Sequence, residues 1–434
     1  MNAQELSYAE FGSLMMRQGG RTRVPLSGSI EITFKCNLRC VHCYIPDYSG
    51  RNEMTTKEIQ RILSEAADEG CVWMLLTGGE VLCRNDFAEI YLHAKRQGFL
   101  LTVFSNGTLF DESVADLLAE YPPFGIEFTL YGLSDETYLK TTGFPGRFTR
   151  VRRAIDLMLE RKLPLSLKAV AMEPLAGEME AMATFSESLG LRFRYDGIVH
   201  GRLDGSMEPT AVRSTPERVV DYDATDPRRL DDWLKFYKQF VKPTRPSDFL
   251  MSCGAGVNSF HVNPQGVLLS CEALPLNGYD LRRGSFREGW YGIVGDIRKR
   301  AAGAANVCAS CELRGMCDRC PATAVLETGS PDGWIPYYCE ITHRRAALLE
   351  DSLGNQQTAT GYRAHADKVK AGWTPQGAIL PRSVSSRTSA SPCGAGGCAA
   401  SGCTKAAAGT TQTAQLLQIE RPPAVAGTLT EVTR

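Results

Sequence analysis

Three cysteines within eight residues constrain this chain more than any other feature. Cys36, Cys40 and Cys43 stand at spacing C-x3-C-x2-C, just after the β-rich run Ile30-Glu31-Ile32-Thr33-Phe34. Thiolates are the usual ligands of iron–sulfur clusters, and a 4Fe–4S cubane normally takes four of them. Three close thiolates leave one iron without a protein ligand, and an open metal position is where a small molecule can bind and react. A structural zinc site is the alternative. Against it, His42 lies between two of the cysteines and no second half of a zinc pattern follows nearby.

Composition narrows the class. A chain of 434 residues has room for two or three domains, and 43% hydrophobic residues allow a sizeable core. A formal net charge of −1 gives no electrostatic case for nucleic acid or an anionic membrane. Met1 to Glu10 lacks the apolar stretch of a secretory signal, and no run approaches the roughly 20 apolar residues of a membrane helix. The fifteen cysteines fall in clusters with C-x2-C spacings, which in a reducing compartment reads as metal ligation rather than a disulfide scaffold. We therefore expect a cytoplasmic, oxygen-sensitive protein.

From residue 29 to residue 200 the pattern alternates strand and helix. Helices are expected over 56–69, 86–97, 112–120, 148–161 and 179–188, and strands over 72–77, 100–105, 125–130, 165–172 and 192–198. Six such units predict an α/β fold, a partial (β/α)6 TIM barrel, with its site at the C-terminal strand ends. The cysteine triplet, Gly78-Gly79-Glu80 and Ser105-Asn106 all fall at strand ends. Gly78 and Gly79 let backbone approach a ligand closely, and Glu80 can accept a hydrogen bond from an ammonium group. Asn106 can equally be a simple helix cap.

Residues 1–28 read as a short polar extension, and 201–250 as an aperiodic bridge over the barrel mouth that ends in a helix over 230–241. His200, Arg202 and Asp204 there read better as loop salt bridges than as substrate contacts. Residues 251–350 carry Cys253, Cys271, Cys308-x2-Cys311, Cys317-x2-Cys320 and Cys339, with a hairpin at 260–269 turning through Asn263-Pro264-Gln265-Gly266. They are expected to form a small α+β unit. Residues 351–434 turn to Ala, Gly, Ser and Thr and read as a disordered or loosely docked tail. Cys393, Cys398 and Cys403 in it read as accidental, and Cys71 and Cys83 as small barrel residues.

The triplet resembles the signature of the radical S-adenosylmethionine (SAM) superfamily, with His42 where an aromatic residue is usual. The resemblance implies that Cys36, Cys40 and Cys43 hold a 4Fe–4S cluster whose open iron binds SAM. Gly78-Gly79-Glu80-Val81 resembles the family's GGEP motif, which binds the SAM amino group. Ser105-Asn106-Gly107-Thr108 resembles the strand-four segment that holds the SAM ribose or carboxylate. Leu130-Tyr131-Gly132 would then close strand five. The stretch from Glu136 to Phe148 looks like that of the subgroup with a C-terminal SPASM domain. In it Lys140 stands where a basic residue faces the SAM carboxylate, a solvated lysine being the alternative.

The seven later cysteines are similar to the SPASM pattern, one residue short between Cys317 and Cys320. The resemblance implies two auxiliary clusters. Cys308, Cys311, Cys317 and Cys339 would hold the far one, and Cys253, Cys271 and Cys320 the nearer one, with an open iron or a fourth ligand elsewhere. Implied partners are a peptide or protein substrate, a reductant such as flavodoxin or ferredoxin, and a separate peptide-recognition protein. The implied activity is hydrogen abstraction from a peptide, followed by cross-linking or oxidation. Haem side-chain or aminoglycoside chemistry is a second reading, and a non-catalytic iron–sulfur electron carrier a third.

Overall fold

The computed structural model describes residues 8–241, 249–251, 253–276 and 278–382. The apolar runs of the first half pair in sequence order. Strands β1 (Ser27–Glu31), β2 (Trp73–Thr77), β3 (Leu100–Ser105), β4 (Gly125–Thr129), β5 (Leu165–Val170) and β6 (Arg192–Asp196) form a parallel ladder. Parallel neighbours need crossovers, and helices supply them: α2 (Thr56–Asp68), α3 (Phe87–Arg96), α4 (Glu112–Glu120), α5 (Asp135–Thr142), α6 (Arg147–Glu160) and α7 (Met179–Ser188). Helix α2 begins where Thr55 and Glu58 close a capping box, and its Ile59, Ile62, Leu63 and Ala66 join the core. The core lies between the helices and one face of the sheet, which contributes Ile30, Leu76, Val103, Phe128 and Leu167. Alternate residues point to the other face, and there the side chains include Ser29, Glu31, Glu127, Lys168 and Arg194.

The sheet does not close. It continues past β1 through β7 (Ser259–Val262), β8 (Val267–Leu269) and β9 (Tyr279–Asp280), so β6 and β9 are its two edges. Strand β7 is parallel to β1, with Ser29 opposite His261, and β8 returns antiparallel through the expected turn at Gly266. The hairpin of the second cysteine region is thus part of the barrel sheet. Ser105 ends the third strand of the ladder and Leu130 follows the fourth, one fewer in each case than the sequence expectation.

Three segments differ from expectation. Residues expected as a plain extension form α1 (Tyr8–Thr22), which lies across the N-terminal strand ends. Trp73 Nε1 donates to Tyr8 Oη at 2.6 Å, Tyr8 packs on Phe124, and Asn258 Nδ2 donates to the Met16 carbonyl. The bridge contains, besides the expected helix, here α9 (Pro227–Phe240), an unexpected one, α8 (Pro216–Thr225); each is opened by a capping residue and a proline at its first position, Thr215-Pro216 and Asp226-Pro227. Arg202 does pair with Glu208, at 2.8 Å.

The remaining helices are α10 (Phe286–Glu288), α11 (Pro321–Thr328), α12 (Pro336–Ser352) and α13 (Gln356–Lys370). Helix α13 overturns the reading of everything after 351 as loose tail. It packs on α12, and the chain then folds back, with Trp334 N donating to Ile379 O and Arg382 N to Glu327 O. Cys393, Cys398 and Cys403 lie outside the described residues.

Candidate active site and auxiliary cysteine sites

Strand β1 stops at Glu31, short of the expected Phe34, because the next backbone groups are committed elsewhere. Glu53 accepts from Phe34 N at 2.6 Å and from Thr33 Oγ1. Gly79 N donates to Thr33 O and Glu80 N to Lys35 O. Gly78, at φ +148, and Gly79 permit this: a Cβ on either would lie 2.3–2.4 Å from the carbonyl oxygens of Thr33 or Lys35. The close approach these glycines allow is to the backbone that leads into the cysteine loop. The loop is tied on its other side by Arg39 N to Thr142 O and Val41 N to Thr141 O.

Glu80 is 1% exposed. Its carboxylate accepts from Ser105 Oγ at 2.8 Å, Asn106 N at 2.8 Å and Leu82 N at 3.2 Å. Burial raises its carboxyl above the usual range, against these donors. In this arrangement Glu80 organises the Ser105-Asn106 turn. Asn106 Nδ2 in turn donates to Asn37 Oδ1 at 2.9 Å and lies 3.8 Å from Cys36 Sγ. Lys140 stands apart. Its ammonium is on the exposed face of α5, paired with Glu136 at 2.8 Å, so the structure does not bring it to the other candidates.

Burial pushes the Cys36 thiol up to about 12 and raises Cys40 and Cys43 as well; Cys43 and Cys36 raise Cys40 further, and Glu31 raises Cys43. Donors aim at the sulfurs: Leu38 N–H at Cys36, the Tyr131 hydroxyl at Cys40 and the Tyr48 hydroxyl at Cys43. Crowded, buried thiols with preset donors fit a bound iron cluster, since coordination deprotonates a thiol outright. His42 is held neutral by burial, its pKa lowered to about 4. Its Nδ1 has no hydrogen-bond partner among the described residues. An open cleft of about 370 Å³ beside the loop is lined by Arg39, Cys40, Val41, Tyr48, Arg202 and Glu208.

Two charged groups on the inner sheet face gave no motif in the sequence. Tyr44 Oη donates to Glu31 Oε1 at 2.6 Å, Glu31 Oε2 lies 3.1 Å from His261 Nε2, and His261 Nδ1 lies 2.9 Å from Ser29 Oγ. Across the sheet Glu127 pairs with Arg194 at 2.6 Å and Lys168 at 3.3 Å, the latter ammonium lying 3.9 Å from the Phe104 ring centre. A period-two reading could have put these polar residues on one face, but not named their partners.

The later cysteines fall in two groups. The Cys271 thiol, pushed by burial to about 12, feels Cys320 and Cys253 as neighbouring charges. Cys320 caps the start of α11. Cys339, on the first turn of α12 and likewise pushed to about 12, feels Cys308 and Cys311, and Cys317 feels Cys308. Cys308, Cys311 and Cys317 lie on the loop around the short turn 312–316. Arg319, between Cys317 and Cys320, is buried and donates to the carbonyls of Gly333 and Pro331. Crowded buried thiols fit iron here as well. Cys71 is buried, whereas Cys83 is half-buried near Cys36.

The model of the Radical SAM superfamily matches residues 30–185. The AdoMet-dependent heme synthase of Methanosarcina barkeri is 24% identical over 333 residues, 71% of this chain and 94% of that protein. The PqqA peptide cyclase of Ruegeria pomeroyi is 26% identical over 349 residues, 76% of this chain and 91% of that protein. Among solved structures, Streptococcus suis SuiB bound to precursor peptide SuiA superposes with a TM-score of 0.57 at 18% identity. It covers 76% of this chain and 81% of that one, a likeness of fold. No helix among the described residues is long and apolar enough to cross a membrane. The family match runs through the triplet and on through the Glu80 turn and the Ser105-Asn106 turn that abuts it, so residues 30–185 of this chain are a radical SAM domain, whose superfamily uses SAM and a 4Fe–4S cluster.

Proposed function

We propose that this enzyme modifies a ribosomally made peptide, joining or oxidising its residues with the loss of two hydrogens. The observation that carries the reading is the pairing of two cysteine constellations in one fold: an open triplet at the barrel strand ends, and seven more cysteines in a region whose hairpin joins the same sheet. The PqqA peptide cyclase and the peptide-bound SuiB structure support a peptide as the substrate class.

When bound, the cluster and SAM supply a 5′-deoxyadenosyl radical that removes a hydrogen atom from an unactivated position. In our reading Cys36, Cys40 and Cys43 hold three irons, and Gly78, Gly79, Glu80, Ser105 and Asn106 wall the SAM pocket. Glu80 acts there by fixing the Ser105-Asn106 turn. The inner-face charges Glu127, Lys168 and Arg194 orient the peptide. Cys308, Cys311, Cys317 and Cys339 hold the far auxiliary cluster, and Cys253, Cys271 and Cys320 the nearer one. The second hydrogen would leave as a proton and an electron, and the auxiliary clusters, when bound, would supply the acceptor for that electron. A flavodoxin or ferredoxin delivers the initiating electron, and a separate protein presents the peptide.

The test is co-expression with a short peptide encoded beside the gene, followed by high-resolution mass spectrometry. A mass lower by two hydrogens supports the reading, and fragmentation locates the new bond. An unchanged peptide with 5′-deoxyadenosine still released favours small-molecule chemistry, the reading supported by the haem synthase relative. No 5′-deoxyadenosine under strong reduction would return the protein to a non-catalytic electron carrier.

A further inference from the structure

Helix α13 brings a histidine against a cysteine already claimed by other cysteines. Cys339 Sγ lies 3.8 Å from His365 Nε2 and 3.7 Å from His343 Nδ1. The two imidazoles stack at 3.9 Å between centroids. These three ligand atoms are close enough to hold a metal ion by themselves. Two facts argue otherwise. His343 Nδ1 lies 2.8 Å from the Cys339 carbonyl oxygen, which only accepts, so that nitrogen carries a proton and is closed to a metal. Cys339 itself neighbours Cys308 and Cys311. A metal-bound thiolate is an acceptor; His365 Nε2 can present an N–H to it, and the His343 Nδ1 proton, bonded to the carbonyl, is shared with it at longer range. Trp334 adds a third donor to the same sulfur, and Trp373, from the segment after α13, packs on both His365 and Trp334.

We propose that His343 and His365 are positioning residues for the far auxiliary cluster, donating hydrogen bonds to Cys339 Sγ that raise its reduction potential and favour its taking up an electron. Hydrogen bonds to cluster sulfurs and exclusion of solvent are the levers a protein has on such a potential. Helix α13 and residues 371–382 are the element that supplies both. The inference rests on the reading of Cys339 as a ligand of that cluster.

The experiment uses the full chain, reconstituted anaerobically with iron and sulfide, and potentiometric titration followed by electron paramagnetic resonance. His365→Leu is expected to keep about twelve irons per chain, the content of three cubanes. It should lower the potential of one auxiliary cluster by a shift on the order of tenfold in its reduced-to-oxidised ratio, 59 mV for a one-electron couple. His365→Gln, which keeps an N–H donor, should recover most of the shift, and the SAM-binding cluster should not move. Unmoved potentials, or loss of about four irons, would overturn the inference. The native enzyme labelled with 15N-histidine gives an independent reading. Weak nitrogen coupling to one reduced cluster is expected, and either no coupling or the strong coupling of a direct ligand would sink the idea. Cys339→Ala separates the two layers. If neither iron nor the resonance of the far cluster changes in that variant, the ligand reading itself fails; if that resonance changes or about four irons go, and the histidine variants are silent, only the inference does.

Discussion

Cys36, Cys40 and Cys43 stand on an irregular loop at the end of a strand, whereas Cys320 and Cys339 stand at the starts of helices. The first site is held from behind, by Gly78, Gly79, Glu53 and the end of α5, and has an open cleft at its side. At the far later site Cys339 stands on α12, His365 of α13 lies against its sulfur, and Trp373 packs on both His365 and Trp334. A cluster that must meet a substrate needs an exposed iron, so the protein can grip only its sulfurs and the loop behind them. A cluster that only stores an electron is better sealed, since burial and sulfur hydrogen bonds then set its potential. On the proposed reading, the difference is that a cleft beside the triplet leaves room for substrate, whereas side chains of α12 and α13 crowd the Cys339 sulfur.

The comparison can be broken most directly at the triplet. Changing Cys36, Cys40 and Cys43 together to Ala should lower iron from about twelve to about eight per chain and abolish 5′-deoxyadenosine release, as read by iron assay and chromatography. Undiminished iron would refute the first site. Next in size is the pair that joins the barrel to the second region, Glu31 with His261, whose side chains are 1% and 2% exposed. Removing one partner of such a buried pair costs about 3–5 kcal/mol, so Glu31→Ala should shift urea denaturation accordingly. Burial pushes the His261 pKa down, but the hydrogen bond and charge of Glu31 push it above the usual 6.5. The pair's stabilisation is therefore fully present below pH 6.5 and fades as pH rises through the elevated value. His261→Gln should flatten that slope.

Smaller is Glu80→Ala, which strands the buried amide of Asn106 and the hydroxyl of Ser105. A loss of about 1–3 kcal/mol per unpartnered group is expected, and Glu80→Gln should recover part of it. Smallest is Lys140→Ala. Its exposed pair with Glu136 predicts no measurable change in melting temperature or SAM cleavage. A drop in cleavage would restore Lys140 to the site.

Much of the scaffold was legible from periodicity. The strand Leu100–Ser105 and the helices Glu112–Glu120 and Met179–Ser188 have the bounds that apolar spacing predicts. Helix α8 was obscured by charge, and α9, expected over 230–241, begins three residues earlier, although Thr215-Pro216 and Asp226-Pro227 marked both starts. Helix α13 was obscured because its buried residues are Ala359, Ala366 and Val369, too small and sparse to stand out from a polar, alanine-rich stretch. In the site, the cysteine spacing and the two glycines were readable. Tyr48, Tyr131 and the Glu31–His261 pair were not, since their partners are distant in the chain or carry no motif.

Spacing and periodicity settle what a few turns of chain can settle: a strand ending in three thiols, a turn that tolerates no side chain, helices that need one buried face. They act over short stretches, where backbone geometry fixes which residues share a face. Which sulfurs share a site is another matter, as are His365 meeting Cys339, Glu80 turning inward and Lys140 facing water. Those were decided by packing between elements far apart in the chain, where burial and the need to satisfy each buried polar group choose the partners.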